Sequence, residues 1–518
     1  MSKSRLLVVF ALVALVAMLV AVGCTSSNVP TTAGPVYNTG LAADEYRNDA
    51  FKELFPLHWE SYMRNNDDTQ MTVFGGSVPH RKNDGVNPLP KGYTYAQPYL
   101  KNLWLGLPFM YEYDRARGHT YALQDMLRID RVDSYNEKAN FGAACYSCKT
   151  TTIPKYLEKY GDDFWAMDIH ELREEHDLGM HTIGCSNCHD PQTMELVITQ
   201  VALDEALLRL GIDWREAPKN DMRSYVCAQC HIEYYFQRGA QGGAQLKPHF
   251  PWDQGFDPQD MYEFFADGTP EIDGFSGQYA DWTHPVSGVP LIKIQHPEFE
   301  MWQDGPHGSA GVSCSDCHMP YVRVDGKKKI SSHHWRSPLF TVEQSCLQCH
   351  GDKDAGWAKD RVVYSQQKTW DQLMVAQNES VRAHEAVRLA REFEGEKRAN
   401  FDELLAEAVE LTRKGQLFWD YVSAENSAGF HNPAKALETL SISIQDSMRA
   451  VELAKRATNY GIAPQLEGDI KDIVPPILEH SRKLQQSQAH LDSHQWLQYL
   501  PLLPEAERLW DDENNRIR

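Results

Sequence analysis

Five Cys-x-x-Cys pairs limit what this chain can fold into more than any other feature does. They lie at Cys145/Cys148, Cys185/Cys188, Cys227/Cys230, Cys314/Cys317 and Cys346/Cys349. The pairs use ten of the 11 cysteines, and the eleventh, Cys24, stands near the start of the chain. No cysteine is left for a disulfide outside the pairs, so the fold must be built around a feature that repeats five times.

Four of the pairs are followed directly by a histidine, at His189, His231, His318 and His350. Cys-x-x-Cys-His is the attachment signal for c-type haem, in which both thiols bond to the porphyrin and the histidine ligates iron. Paired Cys-x-x-Cys knuckles also bind zinc, but a zinc site does not require a histidine directly after the second cysteine in every copy. The repeated pattern therefore favours haem.

The first pair, in the stretch "FGAACYSCKT", is followed by Lys149 instead of histidine. An amine binds iron only when it is deprotonated, a state that desolvation and a nearby metal charge favour. The alternative is a surface lysine beside a redox-active cysteine pair. Within a row of haem sites, we interpret Lys149 as an iron ligand.

The second axial ligand of each iron separates two functions. A haem that only transfers electrons usually has both axial positions filled, whereas a catalytic haem leaves one open for substrate. The chain has 21 histidines, of which four follow a cysteine pair, and spacing alone does not select the distal ligands among the others. A multihaem electron carrier without its own catalysis therefore remains an alternative to an enzyme.

The N-terminus has the pattern of an export signal. Lys3 and Arg5 precede an apolar run from Leu6 to Val22, and Cys24 follows in a context that resembles a bacterial lipobox. Lipidation of Cys24, simple cleavage and an uncleaved anchor all remain open. The net charge of −21 argues against a nucleic-acid partner, which would need a basic surface.

Composition and the positions of the cysteine pairs divide the chain into four regions: residues 1–24 as the export signal, 25–45 as a flexible tether, 46–356 as the haem-binding region and 357–518 as a region of long helices. Region 46–356 is rich in Gly, Pro, Trp and Tyr, which predicts short helices and loops with few strands. Asp325-Gly326 predicts one hairpin turn. We therefore predict a mainly α multihaem cytochrome.

Two apolar stripes at helical spacing support the prediction of long C-terminal helices. The first stripe is Leu404, Ala408 and Leu411, and the second is Leu437, Leu440, Ile444 and Met448. We expect breaks near "NSAGFHNP" and "YGIAPQ". These helices are predicted to pack within the subunit, and their length leaves room for a subunit interface.

One lysine-type pair followed by four histidine-type pairs resembles the pentahaem cytochrome c nitrite reductases of the ammonia-forming type. The resemblance extends from about residue 46 to past residue 490. It implies five covalent haem c groups and calcium, with the Lys149 haem as the catalytic one, open to nitrite on its distal side. "RGHTYALQDMLRIDR" resembles the segment with a distal histidine, His119, and the active-site arginine, Arg131, with Arg128 as the competing candidate.

Further segments carry the other site residues that the resemblance implies. "CHIEYYF" gives Glu233 and Tyr234, and "KIQHPEFEMWQDGPHG" gives Lys293, Gln295, His296 and His307. Calcium would be held by Glu233, Tyr234, Lys293 and Gln295, and the catalytic groups would be Arg131, Tyr234, His296 and Lys149. "SSHHW" supplies His333, with His334 as the alternative, and "GFHNP" supplies His431. The implied ligand pairs are His189–His333, His231–His119, His318–His431 and His350–His307.

The resemblance implies six-electron reduction of nitrite to ammonium on the periplasmic side of a bacterial envelope. It also implies a homodimer formed through the long helices. The electron donor would be a membrane-anchored tetrahaem quinol dehydrogenase or a small soluble multihaem cytochrome. A related multihaem enzyme acting on hydroxylamine or sulfite is a further alternative. Each lone histidine, and Tyr234 with its aromatic neighbours, also has an ordinary structural interpretation.

Overall fold

The fold is described here from a computed structural model. The structure describes residues 37–67, 72–74, 97, 99–107, 109, 113, 118–123, 126, 142–168, 172, 181–237, 247–266, 278–464, 510–511 and 516–517. The predicted export signal, most of the tether, and Arg128 and Arg131 lie outside these residues. None of the described helices combines the length and hydropathy needed to cross a membrane.

The described chain is mainly helical, and its first eleven α-helices are short. They are α1 (Pro56–Met63), α2 (Leu100–Leu103), α3 (Ile153–Tyr160), α4 (Cys185–Cys188), α5 (Val201–Arg209), α6 (Lys219–Ala228), α7 (Pro258–Ala266), α8 (Glu298–Trp302), α9 (Pro306–Ser309), α10 (Cys314–His318) and α11 (Val342–Ser345). Single 3₁₀ turns lie between them at Asn48–Phe51, Arg64–Asp67, His119–Tyr121, Ala143–Cys148, Gly161–Ala166, Trp214–Glu216 and Pro338–Phe340. The prediction of short helices and loops in this region is confirmed.

The strands form four two-stranded antiparallel sheets within the described residues. Their bounds are β1 (Tyr235–Gln237), β2 (Lys247–His249), β3 (Trp282–Thr283), β4 (Pro290–Leu291), β5 (Tyr321–Val324), β6 (Lys328–Ser331), β7 (Trp510–Asp511) and β8 (Arg516–Ile517). The hairpin predicted at Asp325-Gly326 joins β5 to β6, with Tyr321 opposite Ser331. Asp325 and Gly326 have φ values of 51° and 68°, which a short side chain and a glycine tolerate.

Three long helices pack together in the C-terminal region: α12 (Ala355–Arg391), α13 (Phe401–Ala424) and α14 (Pro433–Ala457). The breaks predicted near "NSAGFHNP" and "YGIAPQ" coincide with the ends of α13 and α14. A third break, at residues 392–400, was not predicted. It contains Gly395 within a charged stretch, and the amide of Arg398 bonds to the carbonyl of Ala457, so the chain reverses there against the end of α14.

The packed face of α14 differs from the predicted stripe. Leu440 is buried, but Met448 is 54% exposed. The buried positions are instead mostly small residues: Ala436, Ser443, Ser447, Ala450, Ala454 and Ala457. Small side chains let α14 lie close against α12 and α13, and the bulky Met448 lies outside the contact. On α13, Leu404 and Ala408 of the predicted stripe are buried, and Leu411 is half-buried.

Two buried histidines tie the β3–β4 turn to the long helices. The rings of His284 and His384 lie 4.4 Å apart between centroids. His284 faces the carbonyl of Asn102 through Nε2 at 2.9 Å and accepts from the amide of Ser287 through Nδ1 at 3.2 Å. His384 lies 2.7 Å from Gln416 Oε1 and 2.7 Å from the Ser287 hydroxyl. All four ring nitrogens are satisfied when both imidazoles are neutral, so a proton on either ring would displace a donor.

We expect this pair to make the protein acid-sensitive. Burial lowers the pKa of His284 to about 4, and burial followed by the charge of His284 lowers the pKa of His384 well below its usual value. The unfolded chain therefore takes up protons first, and stability is lost as pH falls from about 6.5 towards 4, by roughly 3 kcal/mol for His284. Urea unfolding midpoints across this range should show a shallower acid slope in a His284→Asn/His384→Gln variant. An unchanged slope would contradict the prediction.

Candidate active site

The cysteine pairs occupy short helical turns, which bring positions i and i+3 to one side of the backbone. Helices α4 and α10 begin at the first cysteine of their pairs, and the 3₁₀ turn Ala143–Cys148 contains the pair before Lys149. No disulfide joins any of the ten cysteines in the described part of the chain. Each pair therefore presents two thiols together, as attachment of one porphyrin requires.

The five pairs are close to one another. The thiols of Cys148 and Cys230 are in hydrogen-bonding contact, and so are those of Cys227 and Cys314. Cys317 lies close enough to Cys346 and Cys349 for their charges to interact, and Cys188 has the same relation to the pair Cys227/Cys230. The attachment points therefore form one contiguous cluster in which the pair Cys227/Cys230 has neighbours on three sides.

All four histidine pairs implied by the resemblance lie close together in space. The ring centroids are 6.3 Å apart for His189 and His333, 6.1 Å for His119 and His231, 6.4 Å for His318 and His431, and 6.4 Å for His307 and His350. Two imidazoles on opposite sides of one metal, each about 2 Å from it, have centroids roughly 6 Å apart. The separations therefore fit an iron atom between the rings of each pair.

The neighbouring histidines His333 and His334 differ in their surroundings. The ring of His333 is directed towards His189, and its backbone is held by Ser61, which accepts from the amide of His333 at 2.8 Å, and by Asn65, which donates to its carbonyl at 2.8 Å. His334 is buried, at 8% exposure, and its amide donates to the Ser332 hydroxyl at 3.3 Å. The geometry favours His333 as the partner of His189.

Lys149 directly follows the first cysteine pair, and its amide bonds to the carbonyl of Tyr146 at 2.8 Å. Its ammonium group lies close enough to affect the titration of His119, His231 and His296. His296 in turn lies beside Tyr234, with ring centroids 5.9 Å apart. The structure therefore brings three of the four predicted catalytic residues into one region, and the fourth, Arg131, lies outside the described residues.

The electrostatics of His296 differ from those of an ordinary histidine, which titrates near neutrality. Burial lowers the pKa of His296 to about 4, while the Glu298 carboxylate opposes that shift and the Lys149 charge adds to it. The imidazole is therefore neutral at pH 7. In this form it still offers one N–H for a hydrogen bond.

The predicted calcium residues meet where the chain after Cys230 touches the segment before α8. Glu233 is fully buried, its Oε2 accepts from the amide of Gln295 at 2.6 Å, and its Oε1 has no hydrogen-bond partner. The Gln295 side-chain amide lies 3.2 Å from the carbonyl oxygen of Lys293. Burial raises the pKa of Glu233 well above its usual value. A carboxylate oxygen, an amide and a carbonyl therefore converge with one oxygen unsatisfied, which suits a hard cation.

Lys293 contributes its backbone to this site and directs its side chain elsewhere. The ammonium group pairs with Asp420 at 3.2 Å and lies 4.6 Å from the ring centroid of Trp104. Asp420 also accepts from the amide of Ile294 at 3.1 Å. This buried ion pair fixes the backbone between β4 and His296. Within the described chain, no group of three or more Cys, His, Asp or Glu side chains is placed to hold a metal ion.

Sequence reasoning missed two buried acids next to the paired histidines. Glu298 Oε2 lies 3.8 Å from His231 Nδ1, and Glu425 Oε1 lies 2.6 Å from His431 Nδ1. Glu298 is two residues after His296, and Glu425 is six residues before His431. The sequence signal was their position: Glu298 lies inside the segment "KIQHPEFEMWQDGPHG", and Glu425 directly precedes "NSAGFHNP".

The cluster of thiol pairs and paired histidines defines a multihaem c-type cytochrome. The sequence model of the cytochrome c552 family matches residues 47–503. A cytochrome c nitrite reductase subunit NrfA from Nitratidesulfovibrio vulgaris is 56% identical over 485 residues, which cover 93% of this chain and 92% of the relative. This chain belongs to the cytochrome c552 family and is an enzyme of its cytochrome c nitrite reductase group.

Other relatives agree. A cytochrome c-552 from Porphyromonas gingivalis is 32% identical, with 82% of this chain and 80% of the relative covered. The solved cytochrome c nitrite reductase of Desulfovibrio desulfuricans superposes with a TM-score of 0.79 at 54% identity, covering 92% of this chain and all of that one. That structure is described as a catalytic subunit with two calcium sites. The predicted family and the mainly α multihaem fold are confirmed.

Proposed function

We propose that this protein reduces nitrite to ammonium at a haem attached to Cys145 and Cys148 and ligated by Lys149, with electrons supplied through four bis-histidine haems. One observation carries the proposal: the four histidines that follow cysteine pairs each face a second histidine at 6.1 to 6.4 Å, whereas the Lys149 region contains His296 and Tyr234. Four sites thus suit electron transfer and one suits chemistry.

The reaction takes up six electrons and eight protons and releases ammonium and two waters. When bound, haem iron supplies a Lewis-acidic position for the nitrite nitrogen and transfers electrons singly. The clustered attachment points give a short path along which such electrons reach the Lys149 site. A chain of several haems suits the many electrons that one turnover needs.

The residues of this chain would hold the anion and move protons. The guanidinium of Arg131 would hold the nitrite oxygens through its fork of donors, which stay charged at any working pH. His296, neutral at pH 7, would donate a hydrogen bond from its N–H to a substrate oxygen and hold that oxygen in place. The Tyr234 phenol, on the ring next to His296, would offer a second donor.

Calcium would be bound by the Glu233 carboxylate, the Gln295 amide oxygen and the backbone carbonyls of Tyr234 and Lys293. The unsatisfied Glu233 Oε1 supports this assignment. The Gln295 side-chain nitrogen lies 3.2 Å from the Lys293 carbonyl oxygen. Because the N and O of a side-chain amide exchange places by rotation, the amide oxygen can take this position, at a spacing suited to neighbouring calcium ligands. The ion would join the segments that carry Tyr234 and His296 and add positive charge near the anion.

The proposal extends to the location of the protein and to its partners. The basic start, apolar run and Cys24 support export to the periplasmic side of a bacterial envelope, with lipidation of Cys24 as one means of attachment. A membrane-anchored tetrahaem quinol dehydrogenase would be the electron donor. A homodimer through the long helices is supported by exposed apolar side chains there, including Tyr364, Val375 and Met448.

Replacing His296 with alanine should lower nitrite reduction by about 10²–10³-fold, the usual effect of removing one donor to a developing charge. Nitrite consumption by the haem-loaded protein would be followed with reduced viologen as the donor. His249→Ala is a suitable control, because the His249 ring lies on β2, packs beside Tyr235 and Phe264 and faces Asp253. A His296→Ala rate equal to that of the control would overturn the proposed role of His296.

A further inference from the structure

The paired histidines differ in what their second ring nitrogen, Nδ1, faces. A backbone carbonyl faces Nδ1 in three of them, at 2.9 Å for His189 (Met194), 3.1 Å for His333 (Ser331) and 3.3 Å for His318 (Arg336). A buried carboxylate faces Nδ1 in two of them, Glu298 at His231 and Glu425 at His431. The haem site at Cys185/Cys188 therefore has carbonyls on both sides, whereas the sites at Cys227/Cys230 and Cys314/Cys317 each have one carboxylate.

Glu425 is rigidly held. It is 2% exposed in the break between α13 and α14. Its Oε1 accepts from the amide of Ser427 at 3.0 Å, and its Oε2 accepts from the Ser427 hydroxyl at 2.8 Å and from the amide of Gly429 at 3.2 Å. These donors stabilise the ionised carboxylate and fix Oε1 2.6 Å from His431 Nδ1. The break thus carries both the histidine and the acid that contacts it.

Glu298, at the start of α8, lies farther from its histidine than Glu425 does. It is 7% exposed, and its Oε1 accepts from the side-chain amide of Asn426. Its Oε2 has no hydrogen-bond partner and lies 3.8 Å from His231 Nδ1. Because Asn426 directly follows Glu425, one loop positions both carboxylates. A carboxylate behind a metal-bound imidazole fixes the ring and raises its basicity.

We propose that Glu298 and Glu425 are positioning residues that hold and polarise His231 and His431, and thereby lower the reduction potentials of the haems at Cys227/Cys230 and Cys314/Cys317 below that of the haem at Cys185/Cys188. The inference rests on the proposed function, because it takes both histidines as iron ligands. A more basic imidazole donates more electron density and so stabilises the oxidised iron.

The consequence concerns the direction of electron flow. Cys230 contacts Cys148, and Cys227 contacts Cys314, so the two polarised sites adjoin each other and one of them adjoins the Lys149 site. A haem of low potential passes its electron on and does not store it. The two acids would keep the path next to the catalytic site strongly reducing.

The test is a spectroscopic redox titration of the haem-loaded Glu425→Gln and Glu298→Gln variants. Glutamine keeps the shape of the side chain and removes the charge. We expect each variant to raise the midpoint potential of one low-spin haem, a different one in each case. The shift should be about 59 mV, which for one electron is a tenfold change in the ratio of oxidised to reduced iron. All four low-spin haems should remain six-coordinate by electron paramagnetic resonance.

Two further variants make the outcome specific. Glu425→Asp keeps the charge near Nδ1, so it should shift the same midpoint by less than Glu425→Gln does. A shift as large with Asp as with Gln, unchanged midpoints in both, or conversion of the haem to a high-spin form would each overturn the inference. His431→Ala separates it from the proposed function: if all four haems stay low-spin in that variant, His431 is not a ligand and the ligand pairs themselves are wrong.

Discussion

Replacing Lys149 with leucine should lower the rate of nitrite reduction by more than ~100-fold. Loss of an outer-shell partner of a metal ligand costs ~10–100-fold, and loss of the ligand itself should cost more. Leucine has no atom that binds iron, so the haem at Cys145/Cys148 would lose its proximal ligand and its orientation towards His296. The thioether bonds would remain, because both cysteines are unchanged. We therefore expect five haems per chain in the variant and turnover close to background, measured with reduced viologen and nitrite.

Lys159→Leu is the matched control. Lys159 is an exposed lysine on α3, ten residues along the chain from Lys149, with its ammonium group 5.0 Å from the ring of Tyr160. Turnover in this variant should equal that of the unmodified protein. A Lys149→Leu protein with five haems and full activity would show that catalysis occurs elsewhere.

The effect of a Glu233→Gln replacement on stability should have opposite signs with and without calcium. With calcium, the variant should be less stable, and nitrite reduction should fall, because the ion loses its charged ligand and the segments with Tyr234 and His296 loosen. With a chelator, the variant should be at least as stable as the unmodified protein, because burying an uncompensated carboxylate is costly. Thermal unfolding in calcium and in chelator, at equal protein concentration, measures both.

The pKa of Glu233 gives the sign of a pH effect in the same experiment. Burial raises that pKa. In the calcium-free protein, the contribution of protonated Glu233 to stability is therefore full below the unfolded pKa of about 4.5 and is lost as pH rises through the folded pKa. Glu233→Gln should remove this loss. Glu263→Gln, at an exposed carboxylate on α7, should change neither curve. Equal stability of Glu233→Gln and the unmodified protein in both solutions would rule out a calcium site at Glu233.

The parts of the site that could be predicted are those encoded by short spacings. A cysteine pair and the residue after it lie in one helical turn, so local sequence determines their geometry. His119, His307 and His431 came from matched family segments, and the structure brings each within 6.4 Å of its implied partner. The choice between His333 and His334 needed the contacts with Ser61 and Asn65, which are more than 250 residues away along the chain.

The parts that could not be predicted depend on long-range packing. The buried face of α14 is set by how closely two other helices approach, and so the predicted stripe includes Met448, which is exposed. The proposed role of the Glu298 and Glu425 carboxylates depends on their positions beside His231 and His431, which arise only when the chain folds. Burial, likewise, moves the pKa of His296 away from neutrality, which no local pattern indicates.

The stoichiometry of nitrite reduction tests the central claim most directly. Nitrite consumed, ammonium formed and viologen oxidised would be measured together on the purified haem-loaded protein. The account predicts one ammonium and six oxidised one-electron viologens for each nitrite, with this turnover lost in Lys149→Leu and retained in Lys159→Leu. Full reduction of all haems by viologen without consumption of nitrite would contradict it and identify the protein as an electron carrier.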